Sequence, residues 1–193
     1  MKAILSADLN WGIGFKGKLL QRVPEDMKFF MRTTIGKVVV MGRETFESLP
    51  GKQPLKDRVN MILTKNPDYS VHRDVSTDNT GKAEDAVDGV GSDPVKSERL
   101  IICHSVDELF ERLQAYPPED IFVIGGESIY TQLLPYCSEV YVTRFEKEFE
   151  ADRHFPDLDK MESWELAEES EPHNYNGMGF RFLRYINKSA LVP

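Results

Sequence analysis

Short apolar runs rich in β-branched residues recur along the chain, each bounded by turn formers: Ile4–Ala7, Lys37–Met41, Val59–Leu63, Leu100–Cys103, Ile121–Ile124 and Val140–Val142. They do not alternate strictly with polar residues, which is the pattern of strands covered on both faces in a mainly parallel sheet. Helical spacing of apolar residues separates several of them, over Glu25–Thr34, a short segment after Arg43, Val106–Ala115 and Glu127–Leu134. Strand and helix in alternation predict an α/β fold, a central, mostly parallel sheet flanked by helices. The last part differs. Trp164–Glu169 and Phe180–Ile186 alternate better, with Asn174–Gly179 as turn material between them, so an antiparallel C-terminal hairpin is expected at one edge of the sheet.

One segment breaks the rhythm. Asn66–Glu98 carries eight acids, three Lys/Arg residues and scattered Gly, Ser, Thr and Asn, with no sustained apolar period. It reads as a long solvated insertion, with a short strand near Val71–Val75, in a single domain over residues 1–187. Ala190-Leu191-Val192-Pro193 resembles the opening of a protease-site tag, and the tail 188–193 is set aside in functional reasoning.

Charge and composition narrow the function classes. A chain of 193 residues with net charge −8 is large enough for a sizeable core and is a poor partner for nucleic acid. No apolar run approaches the roughly 18 residues of a membrane helix. The N-terminal apolar stretch is short for a signal peptide and runs into Asp8, so it reads as a first strand. Cys103 and Cys137 lack metal spacing and read as reduced core thiols; no metal is expected. Together these features predict a cytoplasmic protein, with a monomer as the default.

The candidate chemistry starts at Asp26. Pro24 opens a helix, Glu25 and Asp26 follow in its first turn, and Asp26 shares a face with Phe30 four residues on. Burying a carboxylate costs several kcal/mol unless something pairs with it, and desolvation raises its pKa. An acid on an apolar face is therefore a candidate for holding a polar ligand group. Its other reading is a first-turn Asp that offsets the helix dipole.

Two strand-to-helix turns are candidates for phosphate. Ile121–Ile124 runs into Gly125-Gly126 and then the helix start at Glu127-Ser128-Ile129-Tyr130. The glycines permit close approach to the backbone, and a helix start presents unpaired N–H groups. Tight strand–helix packing explains the same glycines. The run ending Met41-Gly42-Arg43-Glu44-Thr45 repeats the arrangement with Arg43 as a possible phosphate clamp or a surface ion-pair partner. Two such turns point to a nucleotide crevice. Asn10–Lys18 holds three glycines within six residues, too many for a stable element, and reads either as a lid over ligand or as a plain connection.

Taken in order, these motifs resemble dihydrofolate reductase: strand, Gly-rich loop, Pro-Glu-Asp helix, Val-Met-Gly-Arg-x-Thr-Phe turn, Val-Ile-Gly-Gly turn, then Tyr141-Val142-Thr143. The resemblance runs from about Met1 to Ile186, interrupted by the insertion. His154-Phe155-Pro156 after Asp152 fits it too, with Arg153 where a Thr is usual. It implies hydride transfer from NADPH to C6 of 7,8-dihydrofolate with protonation at N5. Asp26 would hold the pterin's N3 and 2-amino group, and Thr143 would support it. Leu5, Met27, Phe30, Leu49 and Leu55 would line the apolar slot, and Arg58 would pair with the α-carboxylate of the glutamate tail. Ala7, Ile13, Gly14 and Leu19 would flank the nicotinamide, with Leu19 counted among the catalytic positions. Gly42, Arg43, Glu44 and Thr45 would meet the cofactor phosphates from one helix start. Ile124, Gly125, Gly126, Glu127, Ser128, Ile129 and Tyr130 would do so from the other. Leu63, Thr64 and Lys65 would sit by the adenine ribose, and His104 and Ser105 by the adenine edge.

Two positions depart from the pattern. Leu20-Gln21 stands where bacterial relatives carry Pro-Trp, which implies weaker binding of diaminopyrimidine antifolates. Glu44 replaces a basic or neutral residue and narrows the margin of NADPH over NADH, although Arg43 and Lys65 outweigh it. The rivals are the pyrimidine reductase of riboflavin synthesis, which lacks the acid in this helix setting, and a non-catalytic folate- or nucleotide-binding relative. A further alternative is a reductase fused or docked to another enzyme through the acidic insertion.

Overall fold

The computed structural model of the protein describes residues 1–71 and 99–192. Eleven strands occur among them: β1 (Lys2–Ala7), β2 (Gly12–Gly14), β3 (Val38–Gly42), β4 (Val59–Leu63), β5 (Arg99–Cys103), β6 (Ile121–Gly125), β7 (Glu139–Phe145), β8 (Arg153–His154), β9 (Trp164–Glu169), β10 (His173–Tyr175) and β11 (Met178–Asn187). The helices are α1 (Pro24–Thr34), α2 (Arg43–Ser48), α3 (Val106–Leu113) and α4 (Glu127–Leu133). Nine strands form the main sheet, in the order β10-β11-β7-β1-β6-β3-β4-β5, with β9 also paired to β11. The six from β7 to β5 are mutually parallel. β11 runs antiparallel to β7 and carries β9 and β10 on its far side.

The apolar strands are covered on both faces, as their unbroken runs require. Val38, Val40 and Met61 point toward Leu109 of α3 and Leu133 of α4 in the larger core. Their neighbours Val39, Met41 and Ile62 point the other way, onto Phe46 of α2. α1 lies on the α2 side, where Phe29 packs 4.7 Å from Phe182 of β11. Cys103 and Cys137 are free and buried, and burial pushes the Cys137 thiol up to about 12.

The chain's path creates the crevice. From β1 it skips one position, builds β3, β4 and β5 outward, then returns to place β6 between β1 and β3 and β7 on the other side of β1. Strand order thus reverses around β1, the place where open α/β sheets bind ligands beyond their strand carboxyl ends.

Two expectations need correction, and a third lies outside the described residues. The Gly-rich loop is not free of regular structure, because Gly12–Gly14 pairs with Arg153–His154 as a small two-stranded sheet. Backbone pairing with a distant segment supplies the order that the glycines alone lack. Residues 174–179 are not all turn: β10 and the start of β11 take most of them, and only Asn176 and Gly177, with φ of 51° and 82°, make the reversal. That left-handed pair suits a two-residue hairpin turn. The strand expected near Val71–Val75 falls outside the described residues beyond Val71, as does most of the acidic insertion.

Candidate active site

Asp26 is the residue around which the site is built. Pro24 starts α1 where its missing N–H costs nothing, which puts Asp26 in the first turn and toward the sheet. Its side chain is buried, at 5% exposure, while the adjacent Glu25 faces water. Thr143 of β7 donates its hydroxyl to Asp26 Oδ1 at 2.6 Å. Among the described residues no second side chain bonds this carboxylate. Desolvation pushes its pKa up to about 6, against the opposing pull of the Thr143 hydroxyl. A carboxylate so placed has acceptor capacity to spare and changes protonation near neutrality.

The far end of α1 holds a second polar group. Arg58, just before β4, is 8% exposed, and its guanidinium lies 5.8 Å from the centre of the Phe30 ring. Met27 is more open, at 38% exposure, and Phe30 is partly buried. Leu49 and Leu55 are partly buried against the core beside α2. Leu5 packs instead into the larger core on the opposite face of the sheet from Thr143.

The residues expected around a dinucleotide fall on one edge. Ala7, Ile124 to Gly126, Gly42 to Thr45, Leu63 to Lys65 and His104-Ser105 occupy the carboxyl ends of β1, β6, β3, β4 and β5, in that spatial order. Four strand spacings of about 4.8 Å make this edge about 19 Å long, the reach of an extended dinucleotide. At its middle the two glycine turns touch. A Cβ on Gly126 would sit 3.2 Å from Thr45 Oγ1, and one on Gly42 would sit 3.0 Å from Ile129. Any larger residue would press these neighbours back by a few tenths of an ångström, and neither helix start carries a side-chain cap. The peptide between Gly125 and Gly126 is cis. Tyr130, in the first turns of α4, is fully enclosed and donates its hydroxyl to the Ile4 carbonyl at 2.8 Å.

Several candidates already have partners. Arg43 Nη1 contacts both carboxylate oxygens of Glu47, at 3.2 and 3.3 Å, so the ion-pair reading of that residue holds and its other nitrogens are left for a ligand. Ser105 caps α3 by accepting from the Glu108 N–H at 3.0 Å, and the exposed His104 gives its own N–H to Glu108 at 2.8 Å. Thr64 is buried and accepts from Asn66 N–H at 3.2 Å, whereas Lys65, Glu44 and Ser128 are exposed. Glu127 accepts from the His154 N–H at 3.1 Å, which ties the start of α4 to β8.

The loop between β1 and α1 divides into two parts. Its base is held by Asp8, by Leu9 N–H to Lys147 O at 3.3 Å, and by Phe155 N–H to Trp11 O at 2.8 Å. Ile13 packs partly into the core, and Gly14 O accepts from Asp152 N–H at 3.0 Å. Beyond, Lys16 and Gly17 form a tight turn with φ of 49° and 74°, and Leu19 is 49% exposed. Sequence reasoning missed Asp8, Thr34 and Asn60, three buried polar residues; Asp8 and Thr34 each have a partner remote in the chain, Phe149 and Arg58, whereas Asn60 bonds Leu55 and Arg58 close by. Only their polarity inside apolar stretches could have marked them.

Comparison with known proteins agrees with this geometry. The family model described as "Dihydrofolate reductase" matches residues 1–89 and 90–187. The chain is 32% identical to the dihydrofolate reductase of Bacillus subtilis over 97% of its own length and 94% of that protein's. It is 33% identical to the enzyme of Enterococcus faecium, over 96% and 95% of the two chains. A solved dihydrofolate reductase from Enterococcus faecalis, complexed with NADP(H) and RAB-propyl, superposes with a TM-score of 0.73 at 30% identity. That match covers 96% of this chain and 95% of the other.

Proposed function

The chain belongs to the dihydrofolate reductase family, and we propose that Asp26 is the group on which its catalysis turns. The reaction is NADPH-dependent reduction of 7,8-dihydrofolate to tetrahydrofolate. NADPH supplies the hydride that reaches C6; the protein's own residues orient the pterin and manage the proton that reaches N5.

The observation that carries the assignment is a carboxylate buried on α1 with one hydroxyl partner and room for more. A pterin edge offers two parallel N–H donors, at N3 and the 2-amino group, which match the two oxygens of Asp26. Thr143 donates to Oδ1 and so fixes the rotamer while leaving acceptor capacity toward the ligand. With a pKa of about 6, Asp26 holds a proton often enough near neutrality to favour protonation at N5, directly or through water. Met27, Phe30, Leu49 and Leu55 supply apolar walls, and Leu5 supports the slot from beneath the sheet. Arg58 takes the glutamate carboxylate at the far end.

The glycine cradle fits a pyrophosphate, because Gly42 and Gly126 leave the backbone bare where the turns meet. Arg43, Glu44 and Thr45 on one side and Glu127, Ser128 and Ile129 on the other complete the contacts, while the enclosed Tyr130, expected beside them, spends its hydroxyl on the Ile4 carbonyl and packs α4 from behind. Ala7, Ile13, Gly14 and Leu19 flank the nicotinamide, and Leu63, Thr64, Lys65, His104 and Ser105 receive the adenosine end. No helix among the described residues is long and apolar enough to cross a membrane. We place the protein in the cytoplasm as a monomer.

Steady-state turnover of dihydrofolate by the native chain and by Arg43→Gln separates the parts of this reading. The variant is expected to raise the KM for NADPH at least several-fold with a smaller change in the KM for dihydrofolate. A change in dihydrofolate KM alone would move Arg43 out of the cofactor site.

A further inference from the structure

Resting on the reading of Arg58 as the tail-binding group, we propose that Thr34 is a positioning residue that holds this guanidinium ready for a carboxylate, so that α1 sets the length of ligand the cleft rewards.

Three of the buried polar residues converge here: Thr34, Arg58 and Asn60. Arg58 makes no ion pair among the described residues, and burial draws its pKa below the usual arginine range against the opposing pull of the nearby Asp57 carboxylate. A desolvated cation with no direct ion-pair partner is poised for an anion. Its backbone-side donors are spoken for. Nε donates to Thr34 Oγ1 at 2.9 Å, Nη1 to the Lys56 carbonyl at 2.7 Å and Nη2 to the Met31 carbonyl at 3.3 Å. A guanidinium has five N–H groups, so each terminal nitrogen keeps one for a ligand.

Thr34 is suited to this task because its own hydrogen is committed. The hydroxyl donates to the Phe30 carbonyl at 2.8 Å, which turns its lone pairs toward Arg58. Asn60 fixes the other side of the clamp. Its amide donates to the carbonyls of Leu55 and Arg58, at 2.9 and 3.1 Å, and its oxygen accepts from Leu55 N–H at 2.8 Å. The arc from Leu55 to Arg58 is thereby tied to β4.

The helix supplies the measure. Asp26, Phe30 and Thr34 follow one another at four-residue steps, so the two polar ends are eight residues apart on one unbroken helix. At 1.5 Å per residue that is about 12 Å. A ligand with hydrogen-bond donors at one end and a carboxylate at the other must match this spacing to use both groups. One with the donors alone uses only Asp26.

The test compares two substrates on the same preparations of the full chain: dihydrofolate, and a 7,8-dihydropterin that lacks the benzoylglutamate tail. The readout is the ratio of kcat/KM for the first over the second, from which the folded fraction cancels. For Thr34→Val the ratio is expected to fall about tenfold, chiefly through the KM for dihydrofolate, with Thr34→Ser restoring most of it. An equal loss on both substrates, or a native ratio in Thr34→Val, would overturn the positioning role. Arg58→Gln distinguishes the two levels of the argument. If it too keeps the native ratio, the assignment of Arg58 to the tail is what fails; if it lowers the ratio while Thr34→Val does not, only the role of Thr34 falls.

Discussion

The molecule buries two aspartates beside the same cleft and treats them in opposite ways. Asp8, at the end of β1, is fully buried and both its oxygens are taken by backbone donors: Oδ1 accepts from the N–H groups of Asn10 and Gly12 at 2.9 and 2.8 Å, and Oδ2 from that of Phe149 at 2.9 Å. Asp26 is almost as buried and has the single hydroxyl of Thr143. Three backbone donors turn the first carboxylate into a clasp between the loop base and the strand β7 to β8 connection. One donor leaves the second as an unfinished site. Burial alone does not single out a candidate catalytic acid; unspent hydrogen-bonding capacity in a buried group does.

Replacing each acid should separate the two roles. Asp26→Asn is expected to lower kcat/KM for dihydrofolate at neutral pH by a factor of about 10² to 10⁴, the range for a displaced acid–base group. Its stability should move the other way. Because the folded-state pKa is raised, from 3.8 to about 6, the contribution of Asp26 to stability is full below the lower value and is lost as pH rises through the upper one. The neutral variant should therefore be more stable than the native chain above pH 6, by up to about 3 kcal/mol and with a higher unfolding temperature, and lose that advantage in acid. Lower stability of the variant at pH 8 would contradict the burial argument.

Asp8→Ala should behave as the mirror image. It leaves three backbone N–H groups without their acceptor, so denaturant unfolding is expected to show a loss of about 3 kcal/mol or more. The pH dependence of the reaction should stay that of the native chain. If that profile shifted as in Asp26→Asn, the division between clasp and catalytic acid would break down.

Smaller changes sharpen the same contrast. Thr143→Val removes the one hydroxyl that holds the Asp26 pKa down, so carboxyl NMR titration should find that group above its native value. A loss of about tenfold in kcat/KM should accompany it, in keeping with about 1.5 kcal/mol for a hydrogen bond to a charged group. An Asp26 titration unchanged in the variant would remove Thr143 from the account. Gly12→Ala tests the clasp from its partner's side. The added Cβ would lie 2.7 Å from the Ala151 Cβ and 3.1 Å from Asp8 Oδ1, so thermal unfolding should report a loss of about 1–3 kcal/mol. Native stability would mean that the two loops yield to each other.

The same contrast explains what was legible in the sequence. β4 stands at the boundaries that its apolar run suggests, and the other central strands differ only at their ends, because burial on both faces writes itself into composition. β9 also stands where its alternating residues place it, although all of it beyond Trp164 is exposed. Asp26 was visible because the helix signal and the apolar neighbour Phe30 lie within a few residues of it. Asp8 was not, since the partner that completes its clasp, Phe149, is 141 residues away. Thr34 and Arg58 are separated by 24 residues, and no local pattern joins them. The Gly12–Gly14 strand was hidden for the same reason: its order comes from β8, not from its own residues. Local periodicity therefore revealed the frame and the helix-borne acid, while long-range hydrogen bonds that position loops and side chains needed the folded chain.

The most direct measurement is the single-turnover rate of hydride transfer, with NADPH and dihydrofolate saturating, followed from pH 5 to 9 in the native chain and in Asp26→Asn. The account predicts a native rate that is high in acid and falls as pH rises beyond about 6. Asp26→Asn should be slower at acidic and neutral pH and lose that dependence. A variant that kept both the native rate and the native pH profile would contradict the claim that the buried carboxylate of Asp26 governs proton delivery.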